Sequence, residues 1–415
     1  MKPSNFPPPL AGEGRVGAVD LRLVGFRYFP AVGGAEQLAR RLLLEIGDRL
    51  TADVITLITS NRSDWLRLLI DGERAEDNIY TVDGRRVRAL GAWSASTRAR
   101  MRLLAPFYHL PFSPAPSAMG GLLAPELVPA IASARLVHNV FMGREAFSLG
   151  ALLASRRLVL PFVFTPLRHE RPLGWNSPAF RTLYREADAV VALTEAEQRW
   201  LIGQGARRER THVIGLGPTN DPQASPSLAH EVVGAGKIIL FLGQLHLYKG
   251  VRPLLQAARA FADRDDVRFV FAGPDVRGQA RAFSGAPANV RYLGQVEPAM
   301  RDSLLQACTV LCVPSSRESF GAVLVEAWSC GKPVIGGPAA ATRELIDEGV
   351  DGWTVPQEPR AIAAALERVL GDEALARRAG AAGRAKVAAR FSWPAIAQGH
   401  LEIYQALLAR AERPA

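Results

Sequence analysis

The chain has 415 residues, too many for one ordinary hydrophobic core; at roughly 150 residues per domain it is long enough for two or three. Apolar residues make up 48% and charged residues 22%, ordinary globular values that exclude wholesale disorder and a collagen-like chain. The net charge of +10 is carried by arginine, since only Lys2, Lys237, Lys249, Lys332 and Lys386 are lysine, a skew that GC-rich coding produces and that also suits phosphate-bearing or anionic-lipid partners.

Residues 1–20 are rich in proline and glycine without periodicity, which predicts a disordered tail, and they contain no unbroken apolar run of the kind a secretory signal needs. Leu21–Phe26 then reads as a strand, Pro30 to Gly34 as a turn and Ala35–Leu44 as a helix, the opening of a βαβ unit. Ala52–Leu57, Leu158–Phe164 and Ala189–Leu193 are further apolar strands, and their lack of strict alternation predicts a parallel sheet covered on both faces. Between residues 98 and 112, Arg98, Arg100 and Arg102 precede Leu103, Leu104, Phe107, Tyr108, Leu110 and Phe112. Such a segment can lie on an anionic membrane surface. It reads equally as a core-facing helix and loop with solvated arginines. The uncharged stretch from Leu103 to Pro125 is interrupted by five prolines, which excludes it as a simple membrane span.

After Thr211–Pro218 a polar stretch through His230 reads as linker, and the pattern restarts. Lys237–Leu242 is a strand, Gly243–Gly250 a loop and Val251–Phe261 a helix; Val267–Ala272, Val290–Leu293, Thr309–Pro314, Pro333–Ile335 and Trp353–Val355 continue the strands. The expected domains are 21–212 and 213–392, with a helix over 393–412 packing back on the first. Cys308, Cys312 and Cys330 lie in apolar surroundings, as expected of buried thiols in a reducing cytoplasm. No zinc-finger spacing and no basic stripe interleaved with aromatics points to nucleic acid.

Two loops carry the chemistry. Ser315–Gly321 leads from a strand into a helix containing Glu326; Gly321 permits close approach of backbone to a ligand, and a helix start favours anions. Glu318 and Glu326 could span roughly 10–12 Å along one ligand, and acceptor-only carboxylates suit sugar hydroxyls. Their bland reading is a helix cap and a solvated face. Gly243–Gly250 also joins strand to helix, and its Lys249 is a mobile point charge suited to a diphosphate, although the spacing is not that of a Walker A loop. A lone His138 at a strand end reads as structural more readily than functional.

Glu318-x7-Glu326, the Gly243–Gly250 loop, the Pro30…Gly33-Gly34-Ala35-Glu36 turn and the closing Phe391-Ser392-Trp393…Tyr404 together resemble glycosyltransferase family 4, the retaining, GT-B-fold nucleotide-sugar glycosyltransferases, from about residue 21 to the end. The resemblance implies two Rossmann-like doubly wound α/β domains facing across a cleft. It implies a nucleotide diphosphate sugar as donor substrate, a saccharide or lipid-linked acceptor, no required cofactor and no metal. By the same resemblance Glu318 holds donor-sugar hydroxyls, and Ser319, Phe320 and Gly321 offer backbone N–H groups. Glu326 accepts from the ribose, Lys249 neutralises the diphosphate beside Gly243 and Gln244, and Gly33 and Gly34 close over the phosphates. His169 matches the family's cleft-facing histidine region, and the base is expected near Leu293–Val296. Two positions depart from the family pattern: Gln244 stands where arginine is usual, with Arg252 as a substitute cation, and Ala341 where glycine is common.

These readings lead to a transferase in bacterial surface polysaccharide, lipopolysaccharide or glycolipid assembly, cytoplasmic and in peripheral contact with an anionic membrane face. The alternative, suggested by Gln244, is a degenerate GT-B protein that binds a nucleotide or sugar without transferring it.

Overall fold

The computed structural model describes residues 18–31, 33–169, 174–276 and 278–411. The tail expected over residues 1–20 falls, as far as residue 17, outside the described residues, and Val19 and Asp20 already belong to the first strand. Contacts divide the chain into two compact units: the first holds residues up to Leu193, Glu197–Ile214 and Ala397 onward, the second Thr194–Ala196 and Gly215–Ile396.

In the first unit the elements run β1 (Val19–Arg27), α1 (Gly34–Ile46), β2 (Ala52–Ile58), α2 (Trp65–Asp71), β3 (Asn78–Val82), β4 (Arg85–Ala89), α3 (Ala95–Leu104), α4 (Ala115–Ile131), β5 (Ala134–Val140), α5 (Glu145–Arg157), β6 (Phe162–Thr165), α6 (Pro178–Glu186), β7 (Ala189–Ala192), α7 (Glu195–Gly203) and β8 (Thr211–Val213). The sheet order is β3-β4-β2-β1-β5-β6-β7-β8, parallel except for the β3–β4 hairpin. All seven residues of β2 are buried, as a strand with helices on both faces requires. Each buried Leu, Ile or Phe contributes about 1.5–3 kcal/mol relative to exposure. Inside this core Arg22 and Asp53 pair at 2.7 Å across neighbouring strands, Arg22 also reaching Ser133 at 3.2 Å.

The second unit comprises α8 (Ser227–Val233), β9 (Lys237–Leu242), α9 (Val251–Ala257), β10 (Val267–Ala272), β11 (Val290–Tyr292), α10 (Pro298–Ala307), β12 (Val310–Val313), α11 (Ala322–Ser329), β13 (Val334–Gly336), α12 (Ala340–Leu345), β14 (Gly352–Thr354), α13 (Pro359–Gly371) and α14 (Glu373–Arg390). Its sheet is all parallel, in the order β11-β10-β9-β12-β13-β14. The final helix, α15 (Trp393–Ala411), gives its first residues to the second unit and Ala397 onward to the first.

Two expectations need correction. The strand placed at Leu158–Phe164 is confined to Phe162–Thr165, because Leu158–Leu160 closes α5 in a turn where Val159 takes a φ of +55°. The stretch through His230 is not all linker, since Ser227 begins α8, whose Ala229 and Val233 are buried. Part of the Leu103–Pro125 segment belongs to α4, which runs through Pro125 and on past Pro129, and among the described residues no helix is long and apolar enough to cross a membrane.

Candidate active site

The two sheets have the same kind of break in their order. In the second unit β9 has β10 on one side and β12 on the other, so the chain leaves β9 in one direction and later returns to its opposite edge. Loops that follow the carboxyl ends of two such strands diverge and leave a crevice, the usual place for a ligand in an open α/β sheet. The loop after β9 holds Gly243, Gln244 and Lys249; the loop after β12 holds Glu318, Ser319, Phe320 and Gly321.

The crevice brings Lys249 and Glu318 together. Nζ of Lys249 donates to Oε1 of Glu318 at 2.6 Å, with the side chains 18% and 10% exposed. Backbone contacts fix this approach. A Cβ at Gly250, whose φ is +77°, would lie 2.6 Å from the Pro314 carbonyl oxygen, and one at Gly337 would lie 2.2 Å from that of Ser315. The Tyr248 carbonyl accepts from the Ser316 amide at 2.8 Å and from Nε2 of Gln357 at 2.8 Å, and the Gln357 amide also donates to the Pro314 carbonyl at 2.7 Å. One amide thus clamps both loops. Gly243 and Gly273 likewise touch at adjacent strand ends, a Cβ on Gly273 falling 2.0 Å from the Gly243 oxygen. Gln244 is exposed in this loop, and its carbonyl accepts from the His246 amide at 2.8 Å.

Glu326 is held elsewhere in the same unit. It is buried on α11, where Oγ1 of Thr219 donates to Oε1 at 2.6 Å and Nη1 of Arg301 stands 3.9 Å away. Burial pushes its carboxyl above the usual range, opposed by Arg301 and the Thr219 hydrogen bond. Gly321 precedes α11 with a φ of +104°, a backbone state that side chains rarely adopt. Phe320 is buried, its ring edge-on to Phe391 at 5.6 Å between centroids, so only its backbone remains for a ligand. Ser319 is half-buried between Glu318 and Phe320.

In the first unit the break falls between β1 and β5. Gly33 and Gly34 follow β1 and open α1. The wholly buried Glu36 side chain accepts from Nε of Arg27 at 2.6 Å, and a Cβ on Gly33 would lie 2.6 Å from both partners, so a side chain there would have to displace the ends of the ion pair. After β5, Arg144 precedes α5 with its guanidinium 5.6 Å from the Tyr108 ring centre; Oη of Tyr108 donates to the Glu145 carboxyl at 3.0 Å. Burial raises the Glu145 carboxyl. His169 is exposed in the segment after β6. His138 is structural: fully buried, it meets Oη of Tyr404 at 2.7 Å through Nδ1 and Oγ1 of Thr165 at 2.8 Å through Nε2. Burial holds its proton affinity well below the usual histidine range.

Sequence reasoning missed Gln357, Thr219, Arg301 and Arg27. A single glutamine or threonine outside any pattern announces nothing, because its role exists only once distant loops meet. The glycines at 250, 273 and 337 were visible, but not the backbone each one admits.

Two family models match the chain: "Glycosyl transferase 4-like domain" over residues 33–217 and "Glycosyl transferases group 1" over residues 229–386. The phosphatidyl-myo-inositol mannosyltransferase of Mycobacterium tuberculosis is 31% identical over 237 residues, 54% of this chain and 61% of that protein. The D-inositol 3-phosphate glycosyltransferase of Thermobispora bispora is 32% identical over 263 residues, 57% and 61% of the two chains. The match therefore spans about three fifths of the length of these curated relatives. Among solved structures, Anabaena HepE in complex with UDP-glucose superposes with a TM-score of 0.68 at 20% identity, covering 94% of this chain and all of that one. Sucrose-phosphate synthase of Thermosynechococcus elongatus gives 0.69 at 20% identity, with 94% and 100% covered. At these identities the superpositions speak for the GT-B fold alone.

Proposed function

The chain belongs to glycosyltransferase family 4, and from that premise we propose that it moves a sugar, with retention of configuration, from a nucleotide diphosphate sugar to a saccharide or lipid-linked acceptor in bacterial surface polysaccharide or glycolipid synthesis. The observation that carries this reading is the Lys249–Glu318 pair at the break in the second sheet. Breaking a sugar–phosphate bond puts negative charge on the departing diphosphate, and a fixed cation beside it lowers the barrier. Lys249 supplies that cation, and Glu318 accepts hydrogen bonds from the donor-sugar hydroxyls. Backbone N–H groups of Ser319, Phe320 and Gly321 face the same ligand, Gly243 and Gln244 line its phosphates, and Glu326 takes the ribose.

The first unit's own candidates for ligand contact are Gly33 and Gly34 at the start of α1 and His169 after β6. Gln244 leaves one customary cation out, and Arg252, exposed on the first turn of α9 and the next basic residue after Lys249, is the candidate to replace it. Binding without transfer is the weaker reading, because the named relatives are transferases and Lys249, Glu318 and Glu326 of the family pattern are all present. Both relatives carry a phosphorylated inositol in their names, lipid-linked in the mannosyltransferase and free in the other, which favours a phosphate-bearing acceptor; the mannosyltransferase alone favours a lipid-linked one at the cytoplasmic membrane face.

The test is a thermal-shift screen with UDP-, GDP- and dTDP-sugars followed by turnover of the sugar that binds. A ligand for the folded state raises apparent stability with the logarithm of its concentration over its affinity. Full turnover by Glu318→Gln or Lys249→Ala would remove the site assignment.

A further inference from the structure

The segment that reads either as a membrane-facing surface or as a core-facing helix and loop is unusual in the folded first unit. Leu103, Phe107, Leu110 and Phe112 are 75%, 54%, 56% and 73% exposed, four large apolar side chains within ten residues. Phe107, Leu110 and Phe112 line an apolar hollow of about 360 Å³ together with Leu104, Ala115 and Ala118. Arg100 and Leu103 stand on one exposed face of α3, and Phe107 follows at the same helical spacing. Phe112 has a φ of +57°, a left-handed state that a bulky side chain enters only when its surroundings enforce it.

The charge around these residues has one sign. From residue 84 to residue 125 the chain has six arginines and no Asp or Glu. Asp71 pairs with Arg102 at 2.6 Å and leaves Arg100, which is exposed, uncompensated within the segment. The patch is also continuous with the ligand end of its own sheet. Tyr108, inside the same segment, turns inward to Glu145 and lies under Arg144 beside the carboxyl end of β5.

We propose that residues 100–112 form a docking surface for an anionic phospholipid bilayer, with Leu103, Phe107, Leu110 and Phe112 entering the headgroup boundary and Arg100 meeting lipid phosphate. Apolar side chains with a basic rim are what such a boundary selects, because apolar burial and attraction to anionic lipid act together. A second copy of the chain is a poorer occupant: in a two-fold contact the patch meets itself and its uncompensated arginines face one another. The surface places the crevice between β1 and β5 at the level where a lipid-borne acceptor presents its head group. In that respect the inference rests on the proposed acceptor class; the binding itself does not.

The test is flotation of the full chain, without donor, on vesicles of phosphatidylcholine alone and of phosphatidylcholine with phosphatidylglycerol. The wild type is expected to float with the anionic vesicles and to be released at high salt. Leu103→Ser/Phe107→Ser/Phe112→Asn is expected to bind them at least about a hundredfold more weakly, since each 1.4 kcal/mol is a factor of ten and asparagine tolerates the left-handed backbone. Arg100→Glu is expected to weaken binding about tenfold on the anionic vesicles only. An unchanged unfolding temperature and an unchanged nucleotide-sugar shift in the triple variant show that fold and donor site survive. Wild-type protein that stays off anionic vesicles at low salt overturns the proposal. So does a triple variant that floats as well as wild type, or a wild-type dimer that the triple substitution dissociates. A failed donor screen would instead overturn the transferase reading and leave this result standing.

Discussion

Lys249 and Glu318 stand 69 positions apart in the chain and 2.6 Å apart in space, one on each side of the break in the second sheet. Each is the other's counter-ion, and both have chemistry a nucleotide sugar can use. Binding of a diphosphate beside Lys249 would exchange one anionic partner for another, so the cation need not be desolvated anew.

That exchange predicts strong coupling. Lys249→Ala or Glu318→Gln alone leaves a largely buried charge without its partner, which costs about 3–5 kcal/mol where burial is complete and less here, with the side chains 18% and 10% exposed. The double variant should recover part of that loss yet stay inactive. A double-mutant cycle on chemical denaturation measures the coupling, and strict additivity would show that the pair contributes nothing.

Glu326 gives a pH prediction. Its folded-state carboxyl titrates above the ordinary value because it is buried. The sign follows: its contribution to stability is full below the unfolded value and lost as pH rises through the folded one. Glu326→Gln should therefore be at least as stable as wild type at pH 8, with the difference vanishing near pH 4. Wild-type affinity for nucleotide should fall on acidification as the carboxylate is protonated, and the variant's should be low and flat. Loss of stability in Glu326→Gln at pH 8 would refute the burial argument.

Gln357 holds the two loops without touching the proposed ligand position. Losing its two hydrogen bonds, each worth about 1 kcal/mol, should lower kcat/KM about tenfold in Gln357→Ala while the unfolding temperature moves by only a few degrees. Steady-state kinetics with varied donor reads this directly. An unaltered kcat/KM would mean the loops keep their positions without the clamp.

Tyr404→Phe separates stability from chemistry. The change leaves buried His138 without its Nδ1 partner and should cost about 1–3 kcal/mol in the first unit. Donor binding, measured by isothermal titration calorimetry below the unfolding transition, should be untouched, since Lys249 and Glu318 belong to the second unit.

Much of the fold was legible because parallel strands are short apolar runs with a glycine at the exit. Lys237–Leu242 followed by Gly243 shows this, and the strand occupies those residues. The β3–β4 hairpin went unread although its signal was present: Asp83-Gly84 between two short runs, with φ of +48° and +76°, is a tight-turn pair. Its strands carry Arg85, Arg86 and Arg88, which hide the apolar pattern. The start of β6 was misplaced because Leu158, Val159 and Leu160 are as apolar as a strand, while the chain needed them to close α5.

The sequence by itself determined two doubly wound units, the family, and which residue types could meet a phosphate or a sugar, because local periodicity and motif spacing are properties of neighbouring residues. Only the tertiary structure decided that Lys249 pairs with Glu318, that Glu326 is sealed against Thr219 and Arg301, and that Leu103 and Phe112 face outward. Those are consequences of strand order and burial, which set distances between residues far apart in the chain and have no imprint on any one stretch of it.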